Sequence, residues 1–568
     1  MTGPILALHV GHNASACIGD QNGLIFAIQE ERLNGEKNYW GFPERSIRAC
    51  LAAANVQASD LSKVVVGTTF VLHRYHSRED VVESYDRQRG ALGWLRTNVA
   101  IPIAVAAMRD HGQEPVRADL ARIGLGSVPV EFLDHHRTHA ATAYYGLRSD
   151  PRAPHLVLTC DGAGDRVSAS VRVWAGESEK VISTTADVDS LGAIYALTTH
   201  AMGFVPMEHE YKLMGMAPYS APKHAEEHAK LFEAYLGLSA DGLAFKRRTR
   251  QPTYALLSRI LRDINGRRFD NVCAGLQWFT EKLLVQWVKN AVAATGIRRV
   301  VAAGGVFMNV KANKAIAALP EVDSFEAYPS CGDETLAMGA FYLAAARAWG
   351  DASVGRLEHF YLGDDLDPKE TEASLAKAGL PYEKPADLPT RIAELLVAGE
   401  PVARCAGRME FGARALCNRS ILADPSNQDV VRVINQMVKK RDFWMPFAPV
   451  VKSERQSDYI VNPKGLRSPY MMMTFDTTPR FRELIAAVHN ADLTCRAQIL
   501  ERGQNPGVEA IMDAFEKKTG RAVLLNTSFN LHGFPIVRTA QEALDVLVGS
   551  GLRNLVVGDY LVRKPAGA

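Results

Sequence analysis

The sequence predicts an α/β protein built from two unequal domains. Its 568 residues exceed what one hydrophobic core organises. A strand–turn–strand unit with a polar residue at the end of its first strand occurs near residues 6–17 and again near residues 155–174. The α/β patterning stops over a charged, turn-rich stretch at residues 350–388 and resumes near Ile392. These breaks define a first domain over 1–350, a linker over 351–390 and a second domain over 391–568.

Taken in order, residues 5–10, 14–18 and 23–29 read as strands, the last two joined by the hairpin pair Asn22-Gly23. A helix is expected over 43–55 and a short buried strand over 64–66. Small and aromatic residues at helical spacing follow a pair of histidines over 135–145. Residues 155–160 form a buried strand ending in Asp161-Gly162-Ala163-Gly164, and Val167, Ala169, Val171 and Val173 alternate onto one face of the next. A helix over 283–295, a strand over 300–303 leading into Gly304-Gly305, and an Ala-rich helix over 337–349 complete the first domain. In the second, Asn526-Thr527-Ser528-Phe529-Asn530 follows a strand over 522–525.

Composition excludes several classes. Lys plus Arg (65) nearly balance Asp plus Glu (63), so no global field draws nucleic acid or an anionic membrane. The eight cysteines contain no C-x-x-C pair, which argues against zinc ribbons and fits reduced thiols in the cytoplasm. The first residues lack a basic region and run into a strand, so no signal peptide is expected, and the longest apolar stretch, 99–108, is too short to span a membrane. A soluble, cytoplasmic protein is expected.

Three constellations carry chemistry. His135 and His139, at i and i+4 on a helix, share a face and can reach one ion, with the strand-end carboxylate Asp161 as a third ligand. Imidazole and carboxylate ligands suit Fe(II), Zn(II) or Mn(II). The spacing alone is also that of two histidines on a helix surface, and His136 could face either way. Gly304-Gly305, with Asn309 nearby, lets backbone N–H groups approach a phosphate or ribose, or simply makes a tight turn. Neither a Walker loop nor a dinucleotide fingerprint occurs. Arg404, Arg408, Arg414 and Arg419, then Lys439, Lys440, Arg441 and Arg496, form a cationic series in an apolar context such as Phe443–Val451. Arginine forks of this kind grip phosphate oxygens, or they pair on the surface.

Beyond these, the chain carries His12-Asn13-Ala14-Ser15, Glu30-Glu31-Arg32 with Lys37, His135-His136-Arg137-Thr138-His139-Ala140, Asp161-Gly162 and Lys212-Leu213-Met214-Gly215. Ala303-Gly304-Gly305-Val306 with Asn309, Asp333 before Met338-Gly339-Ala340, Gly412-Ala413-Arg414-Ala415-Leu416, Pro446-Phe447-Ala448-Pro449 and Leu525-Asn526-Thr527-Ser528-Phe529-Asn530 follow. In this order the set resembles the O-carbamoyltransferases of natural-product and nodulation-factor tailoring, such as those acting on tobramycin and cephalosporins. The resemblance covers nearly the whole chain.

It implies an actin-like ATPase fold for the first domain, similar to tRNA threonylcarbamoyl transferase. It implies a smaller α/β domain similar to threonylcarbamoyl-AMP synthase for the second. The second domain would make carbamoyl-AMP from carbamoyl phosphate and ATP, with Mg as the nucleotide's companion, using Arg414, Lys439, Arg441, Arg496, Asn526 and Ser528. The first would hold a divalent metal, Fe(II) by resemblance, through His135, His139, Asp161 and Asp333, and the nucleotide part through Gly304, Gly305 and Asn309. His12 matches the general base that takes the acceptor's hydroxyl proton, and Lys37 a loop lysine near that site. One departure stands out. Many relatives carry an arginine before Pro-Phe, whereas this chain has Trp444-Met445-Pro446-Phe447. Either Lys440 or Arg408 substitutes, or the carbamoyl phosphate pocket is built differently.

The expected partners are carbamoyl phosphate, ATP and a hydroxyl-bearing small molecule, with no nucleic acid or membrane, and a homodimer is open to it. Residues 70–130 and 200–280, poor in motifs, are expected to shape the acceptor pocket. A tRNA-modifying threonylcarbamoyl-type enzyme would need a basic surface, and the net charge is only +2. A hydrogenase-maturation carbamoyltransferase would need cysteine-rich zinc modules. A non-catalytic actin-like scaffold would require neither the histidine pair nor the second domain.

Overall fold

A computed structural model describes residues 3–71, 77–100, 112–439 and 442–565. The chain forms two compact units, one of residues Met1–Glu30 and Asn38–Glu358, the other of Glu31–Lys37 and His359–Ala568.

The first unit is built on two five-stranded sheets of the same order. One runs Gly23–Gln29, Ser15–Asp20, Ile5–His9, Lys63–Val66, Val130–Phe132; the other Ser178–Ala186, Val167–Ala175, His155–Gly164, Arg299–Ala303, Ser324–Ala327. In each, the first three strands are antiparallel and the last two add in parallel. This doubled sheet order is the one expected of the actin-like fold that the resemblance implies. The repeated unit legible in the sequence is the central strand of each sheet with its hairpin partner. The central strands Ile5–His9 and His155–Cys160 are buried throughout, which explains their unbroken apolar runs.

The helix expected over 43–55 spans Glu44–Ala54 and stops at Asn55, whose φ of 53° makes a left-handed cap. The helix expected over 283–295 is much longer, Phe269–Thr295. Its first half buries Asn271, Gln277 and Thr280, polar residues that blur an apolar stripe read from sequence. The Ala-rich helix spans Leu336–Trp349 and lies against His135–Leu147. A Cβ on Gly339 would come 2.2 Å from the Thr138 carbonyl oxygen. Gly339→Ala is expected to cost about 1–3 kcal/mol by overpacking, read as a lower urea midpoint with unchanged slope; an unchanged midpoint would show that the helices separate freely.

The second unit holds an eight-stranded mixed sheet in the order Tyr382–Glu383, Tyr560–Arg563, Asn554–Val557, Val402–Cys405, Arg419–Ala423, Val523–Ser528, Ala448–Lys452, Gln498–Leu500. Alternate residues of its strands enter two separate cores. Ala403, Ile421, Leu525 and Leu555 join one; Val402, Leu422, Leu524 and Val556 join the other. Both faces of the sheet are therefore covered. The stretch 351–390 contains the helix Pro368–Ala378, packed on Ala540–Val548, and the strand Tyr382–Glu383, paired with Tyr560–Arg563. The strand expected to end at 525 continues to Ser528, because Asn526, Thr527 and Ser528 stay paired with Leu422, Ile421 and Ser420. Among the described residues no helix is long and apolar enough to cross a membrane.

Candidate functional site

The helix His135–Leu147 begins where Asp134 caps it, the carboxylate accepting the Arg137 N–H at 2.7 Å. His135 is thus the first helical residue, and His139 lies one turn on. Asp161 follows the central strand of the second sheet. The ladder to Val167–Ala175 skips from Cys160 to Gly164, so Asp161 bulges out of the pairing. Asp333 opens a short helical turn after Ser330 and Cys331, both at positive φ (66° and 32°). Two non-glycine residues in succession in that region store strain just before a polar side chain.

These three elements bring His135, His139, Asp161 and Asp333 together, with one potential ligand atom from each inside a 4.8 Å span. His135 Nε2 is 3.4 Å from Asp161 Oδ2 and 3.6 Å from Asp333 Oδ1; His139 Nε2 is 3.8 Å and 3.4 Å from the same two atoms. Burial alone would lower the His139 pKa, but the Asp161 and Asp333 carboxylates beside it hold it up to about 9. Burial pushes the Asp161 carboxyl upward, and the two imidazoles outweigh this and hold it well below the usual range. Asp333 is also lowered, against burial and the repulsion of Asp161, by His139, His135 and His9. Two half-buried carboxylates side by side call for a positive charge between them, as a proton or a metal. Asp333 Oδ1 and both ring nitrogens of His139 have no hydrogen-bond partner among the described residues. This donor set fits a divalent metal with borderline preferences. His136, by contrast, is spent on structure. It donates to the Val167 carbonyl at 2.9 Å and its other nitrogen accepts from Thr159 Oγ1 at 2.8 Å.

Two neighbours escaped the sequence reading. His9, at the end of the first sheet's central strand, donates from Nε2 to the His12 carbonyl at 2.9 Å and lies 4.0 Å from Asp333. Burial pushes its pKa down to about 4, despite the opposing pull of Asp333. Asp165, at φ 49°, accepts from Thr68 Oγ1 (3.1 Å), Thr69 N (2.9 Å), Phe70 N (2.7 Å) and His135 N (2.8 Å). Its only sequence signal is an aspartate closing the glycine turn 161–164. Asp165→Asn places an amide N–H₂ against these donors. It should weaken metal retention by about 10–100-fold, as loss of supporting contacts to a metal ligand does. Metal content after dialysis against a graded chelator checks this, and wild-type retention would remove Asp165 from the support of His135.

His12 is half-buried on the short strand Gly11–His12, paired with Trp40–Gly41, its ring centroid 5.3 Å from that of Trp40. Gly304, at φ 101°, follows the strand Arg299–Ala303, where a Cβ would lie 2.4 Å from the Cys160 carbonyl oxygen. The Gly305 N–H donates to Asp161 Oδ1 at 2.9 Å, and a Cβ there would sit 2.7 Å from that oxygen. The glycine pair therefore admits and orients Asp161. Asn309 caps the helix Val310–Ala317, accepting from Ala312 N at 3.0 Å, and exchanges two 2.9 Å hydrogen bonds with Gln277.

In the second unit, Lys37 belongs to the segment Glu31–Lys37, where Arg32 donates to the Gly412 carbonyl at 2.7 Å. Glu410, also missed from sequence, accepts the N–H groups of Leu416, Asn418 and Arg419 at 2.6, 3.2 and 3.2 Å and folds the loop that carries Arg414. Asn526 donates to the Ala415 carbonyl at 2.9 Å and to Gln498 at 3.0 Å, tying that loop to the strand Gln498–Leu500, just after Arg496. Its Oδ1 is buried without a partner among the described residues. Ser528 Oγ donates to Asn530 at 2.8 Å. Of the two candidates for replacing an arginine at Met445, only Arg408 lies among the described residues. Arg408 is turned to the carbonyls of Gly363 and Leu362, at 3.2 and 3.0 Å. Lys440 and Arg441 lie outside the described residues, as does the Lys439 side chain.

Two sequence profiles match the chain: "Carbamoyltransferase N-terminus" over residues 5–342 and "Carbamoyltransferase C-terminus" over 393–564. Nodulation protein NolNO of Sinorhizobium fredii is 31% identical across 97% of this chain and 79% of its own length. Nodulation protein NolO of Bradyrhizobium diazoefficiens is 32% identical across 76% and 79%. Among solved structures, HypF of T. kodakarensis aligns over 62% of this chain and 50% of its own, at 11% identity and a TM-score of 0.34.

Proposed function

Since the chain belongs to the carbamoyltransferase family, both of whose halves it carries in order, we propose that it is an ATP-dependent O-carbamoyltransferase working through carbamoyl-AMP. The observation that carries this reading is the gathering of His135, His139, Asp161 and Asp333 within 4.8 Å in the first unit, beside a histidine at a strand end. The second unit supplies the donor. Carbamoyl phosphate yields carbamate and phosphate, water providing the oxygen that the phosphate takes away. The carbamate oxygen then attacks the α-phosphorus of ATP and expels pyrophosphate. Arg414 and Arg496, with Lys439 and Arg441, neutralise phosphate charge, while Asn526 and Ser528 position the carbamate or nucleotide.

In the first unit, His135, His139, Asp161 and Asp333 would hold a divalent metal, Fe(II) by resemblance with Zn(II) or Mn(II) as alternatives. Bound there, such an ion supplies Lewis-acid stabilisation of the leaving phosphate. The chain's own residues do the rest. Gly304, Gly305 and Asn309 form the turn that takes the nucleotide part, while Gly305 orients Asp161 and Asn309 fixes the helix that follows. The acceptor's hydroxyl oxygen attacks the carbamoyl carbon, His12 takes its proton, and AMP departs. The acceptor is a small natural product. Incubation with Mg-ATP and ¹⁴C-carbamoyl phosphate should yield labelled carbamoyl-AMP and pyrophosphate. Release of neither product from metal-replete protein would rule the adenylate route out.

A further inference from the structure

A cavity lies next to Trp40 in the first unit. Trp40 is the residue paired with His12, and its indole lines a cavity of about 170 Å³, below the roughly 300–1,000 Å³ of whole-ligand sites and so a seat for one part of a molecule. Two helices each give it one face. Arg78–Asp86 contributes Val81 and Tyr85, and Leu191–Ala201 contributes Ala193 and Leu197, both pairs four residues apart. Met207 and Tyr254 close the wall.

No described lining residue is an Asp, Glu, Lys, Arg or His. Among the described charged residues of the helix Arg78–Asp86, Asp86 is turned to His200 at 3.2 Å and Arg78 to Glu208 at 2.8 Å. The polar lining is sparse. Ser84 Oγ is spent on the Val81 carbonyl at 2.7 Å, and Gln88 Oε1 has no partner among the described residues. A polyamine sugar placed here would leave ammonium groups desolvated without a carboxylate, and most of its hydroxyls unpaired. An aromatic or fused-ring body gains from the same walls.

We propose that this cavity seats the apolar ring portion of the acceptor, and that the acceptor is an uncharged, hydroxyl-bearing molecule with an aromatic or fused apolar ring system. The proposal rests on the carbamoyltransferase reading for the term acceptor, but the binding it describes is independent of the donor chemistry.

Titration calorimetry on the full chain, with 2-(2-naphthyl)ethanol and kanamycin as probes, tests it. The naphthyl alcohol should bind with a Kd at least tenfold below that of kanamycin. Ala193→Phe, which fills the cavity, and Met207→Asp, which puts a carboxylate on its wall, should each raise that Kd at least tenfold. Met207 is 37% exposed at φ 63°, a conformation that aspartate tolerates, so this variant decides the matter if Ala193→Phe does not fold. Tighter binding of kanamycin, no binding of the naphthyl alcohol, or its unchanged affinity in Met207→Asp would overturn the assignment. Variant-sensitive binding without carbamoyl-AMP formation would leave the cavity assigned and discard the adenylate route. Carbamoyl-AMP formation with the naphthyl alcohol ignored would do the reverse.

Discussion

Asp333→Asn is expected to empty the metal centre and lower carbamoyl transfer by about 10³-fold, while carbamoyl-AMP formation continues. The substitution keeps the side chain's size and removes only its charge. In the native cluster two carboxylates face two imidazoles at 3.4–3.8 Å, and the buried Asp333 Oδ1 has no partner among the described residues. An amide there supplies a weaker ligand and no countercharge to a dication. Lewis-acid stabilisation of a leaving group is worth several kcal/mol, and about 4 kcal/mol corresponds to about 10³ in rate. Metal stoichiometry by mass spectrometry and transfer from pre-formed carbamoyl-AMP are the two readouts. Native metal content together with native transfer in Asp333→Asn would remove this residue from the ligand set. Carbamoyl-AMP formation serves as the control, because the residues proposed for it belong to the second unit.

The second large effect is expected at His12. His12→Ala should reduce transfer by about 10²–10⁴-fold, the usual contribution of a positioned general base, without loss of metal or of adenylate formation. The backbone of His12 is held independently of its ring, because His9 Nε2 donates to the His12 carbonyl and Gly11–His12 pairs with Trp40–Gly41. Removing the imidazole therefore removes a proton acceptor from a turn that stays in place. The pH–rate profile separates base from scaffold. Native transfer should fall as acid protonates the imidazole, and this acid limb should vanish in His12→Ala. A variant that retains the limb, or transfers at the native rate, would assign the base elsewhere.

How much of this was readable follows from how far apart the cooperating residues lie. Local pattern was enough for the doubled strands near residues 6–17 and 155–174, because each is a buried central strand with its hairpin partner. It was also enough to place His135 and His139 on one helical face. Asp161 announced itself as a carboxylate at a strand end. Asp333 did not, since only the parallel pairing of His155–Gly164, Arg299–Ala303 and Ser324–Ala327 returns the chain to the same strand ends. The glycine pair 304–305 was visible as a tight turn, but its hydrogen bond to Asp161 spans 144 residues. Asp165 and Glu410 were missed for a common reason. Each is a single carboxylate in a loop gathering backbone N–H groups, and no periodicity marks that. The long helix Phe269–Thr295 was half seen, because its buried Asn271 and Gln277 resemble surface residues until their partners are known.

The contact between Gly339 and Thr138 bears on how this centre drifts over time. Thr138 lies between the two histidines, and its carbonyl meets the bare main chain of Gly339, with the Thr142 methyl beside it. The seating of the helix that carries both histidines is therefore gauged in part by the thickness of a peptide backbone. A side chain at position 339 would push on the turn that holds His135 and His139 rather than on an aliphatic neighbour able to give way.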